Sequence, residues 1–218
     1  MVGKIFPVLM AALMGGCATP AMLPDPVVDT NKGAASKHDD TAVFAGGCFW
    51  GVEAVFEQLT GVHRVLAGFA GGDALSAHYE IVSSGLTHHA ESVQITYDPA
   101  QITYGRLLKI FFAVAHDPTQ RNRQGPDSGP QYRSAIFYKD AEQKRIAEAY
   151  IQQLAAAHVF KSSIVTEVVP LDGFYPAEEY HQQFVKRNPD YPYVVYNDLP
   201  KLAALKRDYA PLLKNQSK

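Results

Sequence analysis

The residues with the clearest chemical potential lie in one run, Gly46-Gly47-Cys48-Phe49-Trp50-Gly51. A short apolar stretch, Val43-Phe44-Ala45, stops at two glycines that permit a tight backbone, and a cysteine then opens a segment with helical spacing. Free backbone N–H groups and the positive end of a helix dipole favour thiolate over thiol at such a place. An ordinary cysteine is only about 3% thiolate at pH 7, from a pKa of about 8.5, so this placement matters for a nucleophile. A small core hydrophobe is the competing reading of Cys48. The outer glycines also copy the spacing of a phosphate loop, but Val52-Glu53 stands where Lys-Ser/Thr is needed, and that reading fails.

Such a nucleophile needs a scaffold, and the periodicity supplies one. Val52, Val55, Phe56 and Leu59 fall at i, i+3, i+4 and i+7, a helix face, and Gly61 is a natural stop. Val62 to Phe69 reads as a strand, and Val93, Ile95 and Tyr97 alternate with Gln94 and Thr96 as another. Thr103 can cap a helix with Leu107, Leu108, Phe111 and Val114 turned inward. Tyr132 to Tyr138 forms a fourth strand, Asp140 begins a helix through about Ala157, and Ile164 to Val169 is a fifth strand. The first four strands run β-α-β-β-α-β, the split βαβ order. The expected fold is α+β: a two-layer sandwich with a ferredoxin-like core and a mixed sheet. A helix and a strand are appended, and Pro176–Lys218 follows as an irregular, mostly helical segment. Two stretches, 71–90 and 115–131, are rich in Gly, Pro, His and Asp, and loops of that length are usually functional.

Composition narrows the classes. The chain has 218 residues, 47% hydrophobic and 19% charged, which describes a globular protein rather than a disordered one. A formal charge of −2 offers no basic field for a polyanion, so nucleic-acid binding is not expected. Two cysteines exclude a disulfide framework and an iron–sulfur cluster. The eight histidines include no H-E-x-x-H run, and His88-His89 would face opposite ways on a strand, so no metal is expected.

The first 17 residues differ from the rest. Lys4 and the apolar stretch Ile5 to Met14, too short to span a bilayer, fit a secretory signal peptide. Cleavage before Cys17 would resemble a bacterial lipoprotein, with Cys17 lipidated, although Met14 replaces the usual Leu. Cleavage after the small residues Ala18-Thr19-Pro20-Ala21 is the other exit. Export to the bacterial periplasm or envelope is the expectation, with membrane contact only through that lipid anchor. Residues 18–40 carry Pro20, Pro24 and Pro26 with no sustained period, and read as a flexible tether on the order of 25 Å long. Residues 41–218 form the catalytic domain.

The motif Gly47-Cys48-Phe49-Trp50-Gly51-Val52-Glu53 resembles the active-site run of peptide-methionine sulfoxide reductases of the A type. The resemblance continues in register through Tyr79-Glu80-Ile81-Val82-Ser83-Ser84-Gly85, His89-Ala90-Glu91, His116-Asp117-Pro118-Thr119, Asp127, Gln131-Tyr132-Arg133-Ser134-Ala135-Ile136 and Glu179-Tyr180-His181-Gln182. It covers roughly Thr41 to the C-terminus. It implies reduction of the S epimer of methionine sulfoxide, free or in proteins: Cys48 attacks the sulfur, methionine is released and Cys48 becomes a sulfenic acid. It further implies Glu91 as proton donor to the sulfoxide oxygen, with Tyr79 and Tyr132 hydrogen-bonding that oxygen. Phe49 and Trp50 would bind the methyl group of the substrate, and Asp127 would support the polar network. One part of this follows from the residues themselves. Glu91 shares the parity of Val93, Ile95 and Tyr97, so its side chain points to the apolar face, where desolvation raises a carboxyl pKa. A solvated Glu just outside the sheet is the plainer alternative.

No cysteine follows Cys48, so the resolving cysteines carried by many relatives are missing. No bound cofactor is expected; recycling falls to an external thiol, thioredoxin-like, glutaredoxin-like or small. A monomer is the expected state. The rival enzyme reading is a Cys–His thiol hydrolase or acyltransferase of the envelope, with His181 at papain-like spacing and Asn188 to orient it. The papain-type Cys-Gly-Ser-Cys run is absent. A non-enzymatic envelope lipoprotein is the remaining alternative.

Overall fold

The computed structural model describes residues 22–30 and 38–215. Strand β1 (Asp40–Gly46) leads through Gly47 and Cys48 into helix α1 (Phe49–Glu57), and β2 (Val62–Ala70) returns beside it. A short helix α2 (Tyr79–Val82) precedes β3 (Ala90–Tyr97), followed by α3 (Tyr104–Ile110). A two-residue pair, β4 (Arg123–Gln124) and β5 (Asp127–Ser128), forms a small separate hairpin. Then come β6 (Ser134–Tyr138), α4 (Ala141–Ala156), β7 (Glu167–Pro170) and β8 (Phe174–Pro176), with α5 (Phe184–Arg187) and α6 (Leu199–Asp208) near the end.

The main sheet runs β7-β6-β1-β3-β2-β8, and all its neighbours are antiparallel except β6 and β7. The four inner strands keep the split βαβ order expected from the sequence, and the parallel β7 makes the sheet mixed. The helices cover one face. Phe44 is the centre of that layer: its ring meets Phe56 at 5.7 Å, Tyr104 at 5.9 Å and Phe111 at 5.0 Å, joining β1 to α1 and α3. Ile146, Ala147, Tyr150 and Leu154 bring α4 onto the same core. The other face is lined mainly by small residues, Ala45, Ala70, Ala90 and Ala135 among them, under Val169, Leu171 and Phe174.

Several expectations need correction. Tyr132 is not on a strand; it ends a 3₁₀ turn, Pro130–Tyr132, and β6 begins at Ser134. Val114 is only half-buried, while Phe112 and Ala115 are buried. The cause is a π-helical turn over Phe111–Ala115, whose i→i+5 bonding puts an extra residue in the turn and rotates the inward positions after Phe111. The appended strand starts at Glu167 rather than Ile164, and β8 ends on Pro176, the first residue of the segment read as mostly helical.

Residues 22–30, placed by sequence within a flexible tether, are instead bound to the domain. Asp29 accepts from Thr103 Oγ1 at 2.5 Å and from the Gly105 N–H at 2.8 Å, adding a second cap to α3 beside Thr103 itself. Tyr150 donates to the Pro24 carbonyl, Gln153 bonds the backbone of both Asp25 and Val27, and Lys109 pairs with Asp25 at 2.8 Å. Leu23 and Val28 pack against the core. Cys17 lies outside the described residues.

Candidate active site

Cys48 occupies the N-cap of α1. Gly47 before it has φ +88°, and a Cβ there would lie 2.4 Å from Gln124 Cβ, so only glycine admits this turn. The strand-to-helix entry therefore carries the thiol to the end of the sheet, as the sequence implies. Its ionisation differs from the expectation. Cys48 is 8% exposed, and burial pushes the thiol well above its ordinary pKa. The charges of Glu91 and Asp198 add to the rise, while the Trp50 backbone N–H and Lys201 oppose it. Desolvation outweighs the helix start, and the resting group is a thiol.

Glu91 enters from β3, opposite Phe69 of β2, on the helix-covered face. It is 2% exposed and accepts a hydrogen bond from the Phe49 N–H at 3.1 Å. Burial raises its carboxyl to about 8, with the Asp127 charge adding and the Phe49 N–H opposing. The solvated alternative is thereby excluded, and a proton is held at this carboxyl at neutral pH.

Tyr79 at the start of α2 and Tyr132 at the end of the Pro130–Tyr132 3₁₀ turn both lie within the electrostatic reach of Cys48 and Glu91. Burial raises the Tyr79 hydroxyl to about 12 and pushes Tyr132 up as well. Both also feel the charges of Glu91, Cys48 and Asp127. They stay protonated and keep their O–H donors near neutrality. Tyr79 is fixed by Glu178, whose Oε1 accepts from the Tyr79 N–H at 3.0 Å, and by the His181 ring at 4.2 Å.

Phe49 and Trp50 form an aromatic wall. Phe49 packs on Phe69 and His181 at 5.8 and 5.1 Å. The Trp50 indole stacks on Phe184 at 3.7 Å, meets Tyr193 edge-on at 5.8 Å, and donates its Nε1–H to His181 Nδ1 at 3.1 Å. Gln182 clamps β2 from the adjacent loop, with its amide bonded to the Ala67 N–H and carbonyl. Asp127, on β5, accepts from the Tyr193 hydroxyl.

All seven catalytic and substrate-binding candidates, Cys48, Glu91, Tyr79, Tyr132, Phe49, Trp50 and Asp127, thus gather at one end of the sheet. Sequence reasoning missed Tyr193, Asp198 and Lys201. Tyr193 lies in a tyrosine-rich run without helical periodicity, and Asp198 with Lys201 offered only an i, i+3 charge pair. The Cys–His hydrolase reading fails on the geometry. His181 Nδ1 is taken by the Trp50 indole, and the Asn188 amide donates to the Phe184 carbonyl rather than orienting an imidazole.

Comparison with known proteins identifies the family. The Peptide methionine sulfoxide reductase family matches residues 40–212. A peptide methionine sulfoxide reductase MsrA 2 from Synechocystis sp. is 56% identical over 197 residues, covering 90% of this chain and 92% of that protein. Another MsrA 2, from Mesorhizobium japonicum, is 54% identical over 82% of this chain and 91% of its own length. Among solved structures, methionine sulfoxide reductase A of Corynebacterium diphtheriae aligns with a TM-score of 0.60 at 37% identity, covering 84% of this chain and 92% of that one. Reduced Mxr1 from Saccharomyces cerevisiae gives 0.65 at 32% identity, over 72% of this chain and 89% of its own. A buried thiol beside a protonated carboxyl and an aromatic wall defines a thiol-based reductase site, and the chain belongs to the peptide methionine sulfoxide reductase family. Its activity is that of an A-type member, a peptide-methionine (S)-S-oxide reductase.

Proposed function

We propose that this reductase works with Cys48 as its one redox cysteine and depends on an external thiol for every turnover. The supporting observation is Cys48 at the start of α1 with the Glu91 carboxyl bonded to the next residue's N–H, in a chain with no cysteine after position 48. The sulfoxide methyl lies against Phe49 and Trp50, and its oxygen receives hydrogen bonds from Tyr79, Tyr132 and the Glu91 carboxyl. Proton transfer from Glu91 makes the sulfur electrophilic as Cys48 attacks it. In net terms a thiol and a sulfoxide become a sulfenic acid and a thioether: the oxygen ends on Cys48 and methionine is released. An external thiol then attacks the sulfenic sulfur, water leaves, and a second thiol reduces the mixed disulfide. A thiol-disulfide protein of thioredoxin or glutaredoxin type, or a small thiol, fits this demand.

The test is a reaction with S-sulfoxide and no reductant, followed by mass spectrometry of the intact protein. One methionine per chain and a dimedone adduct on Cys48 are expected. A Cys17–Cys48 disulfide would overturn the one-cysteine mechanism.

The leader supports a second proposal, that the protein is exported and carries lipid on Cys17. Lys4, the apolar Ile5–Met14 stretch and Gly15-Gly16-Cys17 motivate it. Palmitate labelling of cells expressing wild type and Cys17→Ser checks it; equal labelling, or none in either, removes the anchor.

A further inference from the structure

The segment before α6 brings against the nucleophile's helix a carboxyl group that the reductive chemistry does not use. Asp198 ends the π-turn Val194–Asp198 and is 0% exposed. Its Oδ1 lies 2.1 Å from the point that a Cβ on Gly51 would occupy, so glycine there is what lets the carboxyl approach. Gly51 is three residues beyond Cys48, about one helical turn, and the two positions share a face of α1. Apart from Lys201, neither carboxyl oxygen has a hydrogen-bond donor among the described residues. Lys201 Nζ, in the first turn of α6, stands 3.5 Å from Oδ1.

A buried carboxylate whose one partner is a long ammonium contact is costly, and such groups cluster where they are used chemically. The charge of Asp198 is felt by the Cys48 thiol and the Tyr193 hydroxyl, Asp198 itself feels Asp127 of β5 and Lys201, and the field of Lys201 also reaches His116. Burial raises Asp198 to about 6, with Lys201 pulling down and Asp127 pushing up. It is therefore a carboxylate at neutral pH, where Glu91 is still protonated.

The one-cysteine cycle, on which this inference rests, needs a base that the reductive step does not supply. An incoming thiol must lose its proton, and hydroxide must leave the sulfenic sulfur as water. We infer that Asp198, held by Lys201, is the general base of the recycling half-reaction. Its carboxylate takes the S–H proton from the attacking thiol and passes it to the departing hydroxide. The new S–S bond forms as the S–O bond of Cys48 breaks; the thiol sulfur is oxidised and the Cys48 sulfur reduced, and water leaves. A second thiol releases Cys48 by exchange.

The experiment forms the Cys48 sulfenic acid with one equivalent of methionine S-sulfoxide, then follows its decay after rapid mixing with one of two thiols. Dithiothreitol is largely protonated at neutral pH; the thionitrobenzoate anion is already ionised and needs no base. Asp198→Asn is expected to slow the dithiothreitol step on the order of 10- to 100-fold while the thionitrobenzoate step changes by less than about threefold. In wild type the dithiothreitol rate should rise as pH passes about 6, the value to which burial brings Asp198. That limb should vanish in Asp198→Asn and move to higher pH in Lys201→Met, which removes the cation stabilising the carboxylate. Equal losses with both thiols, an unchanged dithiothreitol rate, or an unmoved limb in Lys201→Met would overturn the inference. Lys201→Met carries the test if Asp198→Asn does not fold. A wild type that releases no methionine without reductant contradicts the one-cysteine cycle instead, so the two failures are distinct.

Discussion

The Glu91 carboxyl accepts the Phe49 N–H at 3.1 Å, which ties β3 to the first residue of the helix that Cys48 caps. The thiol-bearing turn and the carboxyl are thereby held by one hydrogen bond between a strand and a helix. Because burial raises both groups, they rest uncharged together near neutral pH. A carboxylate at Glu91 would repel a Cys48 thiolate, so loss of the Glu91 proton and ionisation of Cys48 are coupled.

Cys48→Ser should abolish methionine formation while the protein still folds, because a hydroxyl is no comparable soft nucleophile. Single-turnover assay together with thermal unfolding checks both halves. Residual turnover in the pure variant would contradict the assignment.

Glu91→Gln keeps an acceptor for the Phe49 N–H but cannot give up a proton as a carboxyl does. The reductive step should slow on the order of 10²–10⁴-fold. Sulfoxide KM should change much less. A single-turnover rate within about twofold of wild type would show that another group supplies the proton.

The same carboxyl predicts two pH effects of defined sign. Glu91 must be protonated to act, so the wild-type single-turnover rate should lose its Glu91-dependent part as pH rises through about 8. The folded pKa lies above the ordinary 4.5, so the folded state holds this proton more tightly. Its contribution to stability is neutral below about 4.5, falls as pH rises, and is fully unfavourable above about 8. Glu91→Gln removes that penalty. Denaturant unfolding at pH 9 should show the variant more stable than wild type by a few kcal/mol, at about 1.4 kcal/mol per unit of pKa difference. Equal stability at pH 5 and pH 9 would contradict it.

Asp29→Ala removes the carboxylate that accepts from Thr103 and Gly105 at the start of α3. Loss of such a cap costs about 1–2 kcal/mol. Urea unfolding should show that loss, and the methionine burst should remain, since the segment docks away from Cys48 on α3 and α4. An unchanged midpoint would show that residues 22–30 contribute nothing to stability.

Tyr193→Phe leaves Asp127 without its hydroxyl donor. Losing one partner of a partly buried charged hydrogen bond costs about 1 kcal/mol or more, which is roughly a fivefold rise in sulfoxide KM. A change confined to kcat would instead place Tyr193 at the reacting atoms.

Much of this enzyme is written in local pattern. The i, i+3, i+4 spacing of Val52, Val55 and Phe56 specifies α1, the caps Thr103 and Asp140 mark two helix starts, and alternation along β3 assigns Glu91 to the covered face. Each depends only on the 3.6- or 2-residue period of a neighbouring stretch, which the chain carries wherever it folds. Four features escaped that reading. The ionisation of Cys48 is set by how much protein surrounds it, and the surrounding shell, which includes Glu91 and Asp198, comes from distant segments. The inward rotation of Phe112 and Ala115 arises because α3 widens into a π-turn against the core, which no period reveals. Residues 22–30 carry no apolar period and dock through hydrogen bonds whose partners, Thr103, Tyr150 and Gln153, lie far along the chain. Asp198 meets Gly51 because α6 packs on α1. Periodicity is a property of the sequence, whereas desolvation and close approach belong to the assembled layers. The sequence alone could therefore single out Cys48 and Glu91, but only the tertiary structure decided their burial, their protonation and the carboxylate brought against the same helix.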